Sequence, residues 1–215
     1  MQHEKPAVNN NEQKMTEVFA SQSLQIGFAG LAFDSALFDT VGQKAETVLA
    51  HQLSTGTLWE DIRMKGGAYG VITSSDSFEN CFSFATYRDP NPLRSMDVIA
   101  ELFKNSQLKD NLQYCGGGDE KNLVKSIIGC YAKEVHPRTN AEDGTIDFNR
   151  FLHGIEEPYR KRSMERLISL SVADMSAAFS SLGSRTASGQ VIITGLKNAE
   201  QAAKALGTEV IMLPM

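Results

Sequence analysis

The chain has 215 residues, of which 41% are hydrophobic and 22% are charged, and its formal net charge is −5. This composition is typical of globular proteins and suits one large domain or two small ones. The acidic balance and the lack of a basic block argue against nucleic acid as a partner. The sequence has no apolar run long enough for a membrane-spanning helix, and three cysteines at unrelated spacings favour a reducing compartment over a disulfide framework.

The first 21 residues are polar and rich in Asn and Gln, which predicts a flexible lead-in or linker before a single domain over residues 22–215. Residues 23–33 are apolar with partial alternation and predict a strand. A helix is expected to follow, capped by Asp34 or Ser35, with a break near residues 54–57 and a short second helix around Trp59.

Two β-branched and aromatic segments, 68–75 and 81–89, are separated by a polar turn and predict a β-hairpin. A helix is expected to begin near Pro92, and the second half of the chain carries helical apolar stripes before a final strand, helix and strand. This order predicts an α+β fold: a mostly antiparallel sheet with helices packed on one face.

Three short motifs suggest ligand sites and fail on inspection. The segment HGIEE (153–157) resembles the inverted zinc-peptidase motif H-x-x-E-H, but Glu157 stands where the second histidine is required and Pro158 follows it. Residues 139–150 resemble half of a calcium loop, with Arg150 where a glutamate is needed. CGGGDE (115–120) lacks the lysine and spacing of a P-loop. We expect HGIEE to be a turn at a helix end, residues 142–144 to be a polar turn, and CGGGDE to be a mobile loop. We expect no metal site in this chain.

The segment LWEDIRMKGGAYGV (58–71) allows two interpretations. In one, Gly66 and Gly67 end a helix with a left-handed residue, and Tyr69 is an ordinary strand residue. In the other, Arg63 and Tyr69 point into the same space at the helix–strand junction and hold a peptide carbonyl or a developing oxyanion. The glycines would then let another backbone approach closely.

The same segment, followed by FSFATYRDPNPL (82–93), resembles the C-terminal part of the pitrilysin/insulinase family of inverted-zincin metallopeptidases, closest to the presequence protease subgroup. The resemblance is tight over residues 58–93 and looser over 23–215. It implies a four-domain peptidase whose halves close around a peptide-filled chamber. The first domain holds zinc and the last supplies an arginine and a tyrosine, which by position are Arg63 and Tyr69, with Gly66, Gly67 and Gly70 as substrate-binding neighbours.

The expected function follows from that resemblance: a C-terminal, substrate-binding domain, inactive alone, of a zinc-dependent peptidase that degrades unstructured peptides. Its expected partners are the N-terminal catalytic half of the same polypeptide and a peptide substrate, with no nucleic acid and no membrane. The expected location is intracellular, in a bacterial cytoplasm or an organelle matrix. The alternative is a non-catalytic scaffold or peptide-binding module of the same fold.

Overall fold

The computed structural model describes residues 15–76, 78–104 and 120–214. Their regular elements, in chain order, are β1 (Met15–Ala20), β2 (Phe28–Asp34), α1 (Val41–Thr55), a π-helix (Trp59–Met64), β3 (Gly70–Asp76), β4 (Cys81–Tyr87), α2 (Pro92–Lys104), α3 (Glu120–Val135), α4 (Asn140–Leu152), α5 (Glu157–Ile168), α6 (Val172–Ser184), β5 (Gly189–Thr194), α7 (Leu196–Leu206) and β6 (Val210–Met212). The fold is α+β, as the sequence predicts. None of the described helices is long and apolar enough to cross a bilayer.

The six strands form one sheet in the order β3-β4-β2-β5-β1-β6. The pairs β3–β4, β4–β2 and β2–β5 are antiparallel, whereas β1 runs parallel to both β5 and β6. The sheet is therefore mixed rather than mostly antiparallel. The crossover helix α7 connects β5 to β6, and a helical crossover of this kind is what a parallel connection requires.

Strand β1 corrects the predicted lead-in. Residues 15–20 lie within the range 1–21 that the sequence analysis assigns to a linker, yet they form an inner strand between β5 and β6. Val18 and Ala20 are fully buried there. A six-residue strand of mixed polarity gives too little local signal beside an Asn- and Gln-rich stretch, and its pairing partners, β5 and β6, lie at the other end of the chain.

One face of the sheet carries the core. Burial alternates along β2 and β4, so that Leu31, Phe33, Phe82 and Phe84 are buried while their neighbours keep part of their exposure. Phe103 of α2 contacts Phe33, Phe84 and Phe179 of α6 through ring–ring distances of 5.2–6.2 Å. The helices thus pack on one face, and the opposite face, which carries Ile72 and Tyr87, is left open.

The predicted hairpin is confirmed as β3 and β4. In its register Gly70 pairs with Tyr87 and Asp76 pairs with Cys81. The helix after β2 differs from expectation. It begins at Val41, and the Thr40 hydroxyl accepts the hydrogen bond from the Gln43 N–H, so Thr40 is the cap rather than Asp34 or Ser35. The real cap lies closer to the first buried turn of the helix.

One further prediction is corrected. Residues 142–144 are not a polar turn but the beginning of α4, because Thr139 and Glu142 form a reciprocal capping box. Residues 158–182, within the helical second half that the sequence predicts, form two helices, α5 and α6, because Ser171 caps the second one with Asp174. The HGIEE segment forms the expected turn between α4 and α5, with Gly154 at φ 64°. The predicted loop at 115–118 lies outside the described residues.

Candidate substrate-binding site

The site begins on the π-helix, which presents Trp59 and Arg63 one turn apart. The N–H of Lys65 donates to the carbonyl of Glu60, five residues earlier, which widens the turn. Leu58 and Ile62 are fully buried and anchor this short helix to the core. Single π-turns are rare and often occur at functional sites, and here the wide turn holds an arginine next to an indole.

The three glycines of the junction have different structural roles. Gly66 has no room for a side chain, because a Cβ would overlap the Ile62 carbonyl oxygen and the Arg94 guanidinium. Gly67 has φ 80° and ends the helix with a left-handed residue. Gly70 has neither constraint, since its nearest neighbour would be the Tyr87 Cβ at 3.9 Å. Two of the three glycines are therefore explained by the fold.

Arg63 and Tyr69 do face the same space. The guanidinium carbon of Arg63 lies 3.9 Å from the centre of the Trp59 ring and 5.7 Å from that of Tyr69. Both distances fall within the range of a cation–π interaction. Tyr69 is 63% exposed, so its phenol remains accessible beside the charge. The structure brings this predicted pair together at the beginning of the edge strand β3.

The end of β4 completes the cluster. The rings of Tyr69 and Tyr87 meet edge to face with centroids 5.8 Å apart. The guanidinium carbon of Arg88 lies 5.5 Å from the Tyr87 ring and 6.0 Å from the Tyr69 ring. The Tyr69 N–H faces the carbonyls of both Tyr87 and Arg88, at 3.1 and 3.3 Å. The cluster lies at one end of the open face of the sheet.

The charges around the cluster are unevenly compensated. Lys65 forms ion pairs with Glu60 and Asp61 at 3.0 and 2.8 Å. Among the residues that the structure describes, no carboxylate lies within ion-pair distance of Arg63 or Arg88. The exposed aromatic surface therefore has two guanidinium groups whose charges are open to a ligand.

No metal site accompanies this cluster. Across residues 15–76, 78–104 and 120–214, no three His, Cys, Asp or Glu side chains are grouped so as to hold a metal ion. His153, the first residue of HGIEE, stacks on Phe78 with centroids 4.4 Å apart. The family resemblance assigns the zinc to another domain of the peptidase.

Comparison with known proteins identifies the family. The model of the PreP C-terminal domain family matches residues 16–196. The chain belongs to this family. Curated relatives include presequence protease 1 of Arabidopsis thaliana, chloroplastic/mitochondrial, which is 29% identical over 135 residues, covering 59% of this chain and 11% of the relative. The mitochondrial presequence protease of Aspergillus oryzae is 26% identical over 166 residues, covering 76% and 15%. The chain thus spans less than a fifth of either relative.

Solved structures agree on the fold. Pitrilysin superposes with a TM-score of 0.64 at 12% identity, covering 93% of this chain and 22% of that one. A structure described as the inactive peptidase domain of a putative zinc protease from Bordetella parapertussis gives a TM-score of 0.62 at 11% identity, covering 78% and 93%. These likenesses show that the chain shares its fold with these domains.

Sequence reasoning found Arg63 and Tyr69 and missed Trp59, Tyr87 and Arg88 as members of the cluster. Trp59 could have been found, because residues four apart share a helix face. Tyr87 could have been found from the hairpin, since it pairs with Gly70, next to Tyr69. The position of the Arg88 side chain depends on an unusual backbone angle that no local pattern indicates.

Proposed function

We propose that this chain is the substrate-binding C-terminal domain of a zinc-dependent peptidase that degrades unstructured peptides in a closed chamber. In this proposal Arg63 and Tyr69 complete an active site whose zinc is held by the N-terminal domain of the same polypeptide, here called the parent peptidase. The observation that carries the proposal is the pairing of the half-buried Arg63 with the exposed Tyr69 at the end of the open sheet face, within a chain of the PreP C-terminal domain family.

The two side chains suit the binding of a peptide carbonyl oxygen. The Tyr69 phenol can donate one hydrogen bond, and the guanidinium of Arg63 offers a planar fork of donors. When a peptide bond is attacked, negative charge develops on that oxygen, and donors already in place stabilise it. Trp59 restrains Arg63 from one side, so less side-chain freedom is lost when a ligand binds. Gly70, which no packing constraint explains, would let the substrate backbone approach.

A second surface supports the proposed N-terminal partner. No residue of α4 is buried, even though the helix carries three large apolar side chains. Phe148, Phe151 and Leu152 are 60%, 80% and 61% exposed. Exposed apolar clusters of this kind mark interaction sites. Because the chain spans 11–15% of the two relatives described above, the missing portion of a parent peptidase is the natural cover for this surface. The location that fits is intracellular, in a bacterial cytoplasm or an organelle matrix.

The test is the Tyr69→Phe substitution in the parent peptidase, assayed on an unstructured peptide. Removing one donor to a developing oxyanion lowers kcat about a hundredfold to a thousandfold, so kcat should fall in this range. Tyr131→Phe on α3 is the matched control and should leave the rate unchanged. Arg63→Ala should also raise KM, with poor rescue by lysine, because a point charge lacks the fork.

Two results would contradict the proposed function. A Tyr69→Phe enzyme with normal kcat/KM would show that the phenol has no part in the reaction. A parent sequence with no H-x-x-E-H motif or equivalent metal ligands upstream would favour the alternative, a scaffold or peptide-binding module of the same fold. In that case the isolated chain should still bind peptide, and Arg63→Ala should weaken the binding.

A further inference from the structure

Arg88 has a backbone conformation that arginine rarely adopts. Its φ is 49°, and the other non-glycine residues with positive φ in the described chain are Asp39 and Asn80. Asp and Asn tolerate the left-handed region because their short polar side chains bond locally. Arginine has no such compensation, so the position carries a steric cost. Strained residues cluster at functional sites.

The backbone task of Arg88 does not require an arginine. The left-handed turn brings the Tyr87 and Arg88 carbonyls to the Tyr69 N–H, and the next residue, Asp89, pairs with Gly27 through two backbone hydrogen bonds of 2.6 and 2.8 Å. Glycine would make the same turn without the steric cost. What glycine could not provide is the guanidinium, which lies beside the Tyr69 and Tyr87 rings.

This guanidinium is open to an anionic ligand. Arg88 is exposed, and no described carboxylate lies within ion-pair distance of it. The carboxylate next to Arg88 in the sequence, Asp89, is 1% exposed, and its Oδ1 accepts a hydrogen bond from the Asn91 N–H. An exposed fork of donors against aromatic walls suits a planar carboxylate.

We propose that Arg88 is a specificity-determining residue that binds a carboxylate of the peptide, either an acidic side chain or the C-terminus, next to the bond held by Arg63 and Tyr69. The inference rests on the proposed function, because it assumes that a peptide lies along the cluster. It adds a substrate preference: peptides that carry a carboxylate near the site bind more tightly than neutral ones of the same length.

The chain contains its own probe. Trp59 is the one tryptophan in the sequence, and Arg63 lies against its ring. A ligand that draws Arg63 away, or that covers the 38% of Trp59 that is exposed, changes the indole emission. Binding can therefore be followed by fluorescence on the 215-residue chain without a label.

The experiment titrates the chain with three tryptophan-free unstructured peptides of one sequence. The first is amidated and neutral, the second is amidated with one Gln replaced by Glu, and the third is neutral with a free C-terminus. An ion pair at an exposed site supports a gain in affinity of up to about fivefold. We expect that gain for the second or the third peptide, which tells the two carboxylate sources apart, and we expect it to shrink as salt is added.

The variants isolate Arg88. Arg88→Gly should abolish the preference, so that the variant binds the carboxylate-bearing and the neutral peptides with the same Kd. Its thermal midpoint should stay the same or rise, because the strain is removed. Asparagine also tolerates the left-handed region, so Arg88→Asn should lose the carboxylate preference as well. This variant serves as the test if glycine makes the turn too flexible. Asn80→Gly relaxes a left-handed residue at the other end of the hairpin and should keep the preference.

The outcomes separate this inference from the function on which it rests. If the neutral peptide does not bind at all, the proposed peptide-binding function fails. If it binds and neither carboxylate improves its affinity, the role of Arg88 is overturned while the function stands. The role is equally overturned if Arg88→Gly and Arg88→Asn fold and retain the full preference, because the carboxylate would then be bound elsewhere.

Discussion

Arg185 and Glu46 form an ion pair in which the guanidinium Nη2 lies 2.7 Å from the carboxylate Oε1. Glu46 is 1% exposed in α1, and its second oxygen accepts the N–H of Ala36 at 2.8 Å. Arg185 also donates to the Asp34 carbonyl at the end of β2 and to the Ser181 hydroxyl in α6. One side-chain network thus connects α1, α6 and the sheet.

Removing Arg185 should strongly destabilise the fold. Arg185→Ala leaves the Glu46 carboxylate buried with only one hydrogen-bond donor, and breaking a buried pair in this way costs about 3–5 kcal/mol. Urea unfolding should show the loss as a lower midpoint with an unchanged slope. Arg160→Ala, which breaks the exposed Arg160–Glu157 pair, should cost less than about 1 kcal/mol. Equal effects of the two would show that Glu46 rehydrates freely.

Alanine substitutions at the three glycines that follow the π-helix should have different effects on stability and on activity. Gly67→Ala forces a left-handed alanine, which costs about 1–2 kcal/mol, and Gly66→Ala overlaps the Ile62 carbonyl oxygen, so both should lower the unfolding midpoint. Gly70→Ala has space and should leave stability within about 0.5 kcal/mol. If substrate backbone lies against Gly70, the same variant should lower kcat/KM of the parent peptidase. A destabilised Gly70→Ala domain would assign that glycine to the fold instead.

The sequence specifies the parts of this fold that local pattern determines. Alternation predicts the hairpin, and Pro92 marks the beginning of α2, because these signals lie within a few residues. Strand β1 escapes prediction because its pairing with β5 and β6 is long-range. At the site, the junction pattern predicts the Arg63–Tyr69 pair, whereas the backbone at Arg88 depends on the antiparallel Gly27–Asp89 bridge just beyond the paired ends of β2 and β4.

Stability should fall on mild acidification because of His51. Burial, with a smaller contribution from the Lys133 charge, lowers the pKa of His51 below its ordinary value of 6.5. As pH falls through the unfolded-state pKa, the unfolded chain takes up a proton that the folded chain resists, so folding is disfavoured. Above pH 7 the imidazole is neutral in both states and contributes nothing.

The measurement compares unfolding free energies of the wild type and His51→Gln between pH 7.5 and about pH 5. The wild type should lose more stability over this window than the variant does. Parallel curves for the wild type and His51→Gln would mean that the buried surroundings of His51 relax around its charged form.

The exposed apolar side chains of α4 should contribute little to the stability of this chain, in contrast to the buried rings of the core. Phe151→Ser replaces a ring that is 80% exposed, so the free energy of unfolding of the chain should change by no more than about 0.5 kcal/mol. Phe179→Ala in α6 is the contrasting variant, because that ring is fully buried and its truncation should cost about 3–5 kcal/mol. Both values come from the same urea titration.

A binding experiment then tests which partner contacts the exposed apolar side chains of α4. If Phe151 contacts the N-terminal half of a parent peptidase, Phe151→Ser should weaken association of the two separately expressed halves by tenfold or more, as loss of a buried aromatic anchor does. The wild-type chain alone should self-associate at high concentration in sedimentation, and the serine variant should do so less. Val124→Ser on α3, which replaces another exposed apolar residue at 48% exposure, controls for a general gain in polarity. Unchanged association of the halves would move the interface elsewhere, and a large loss of stability in Phe151→Ser would mean that α4 packs on its own domain.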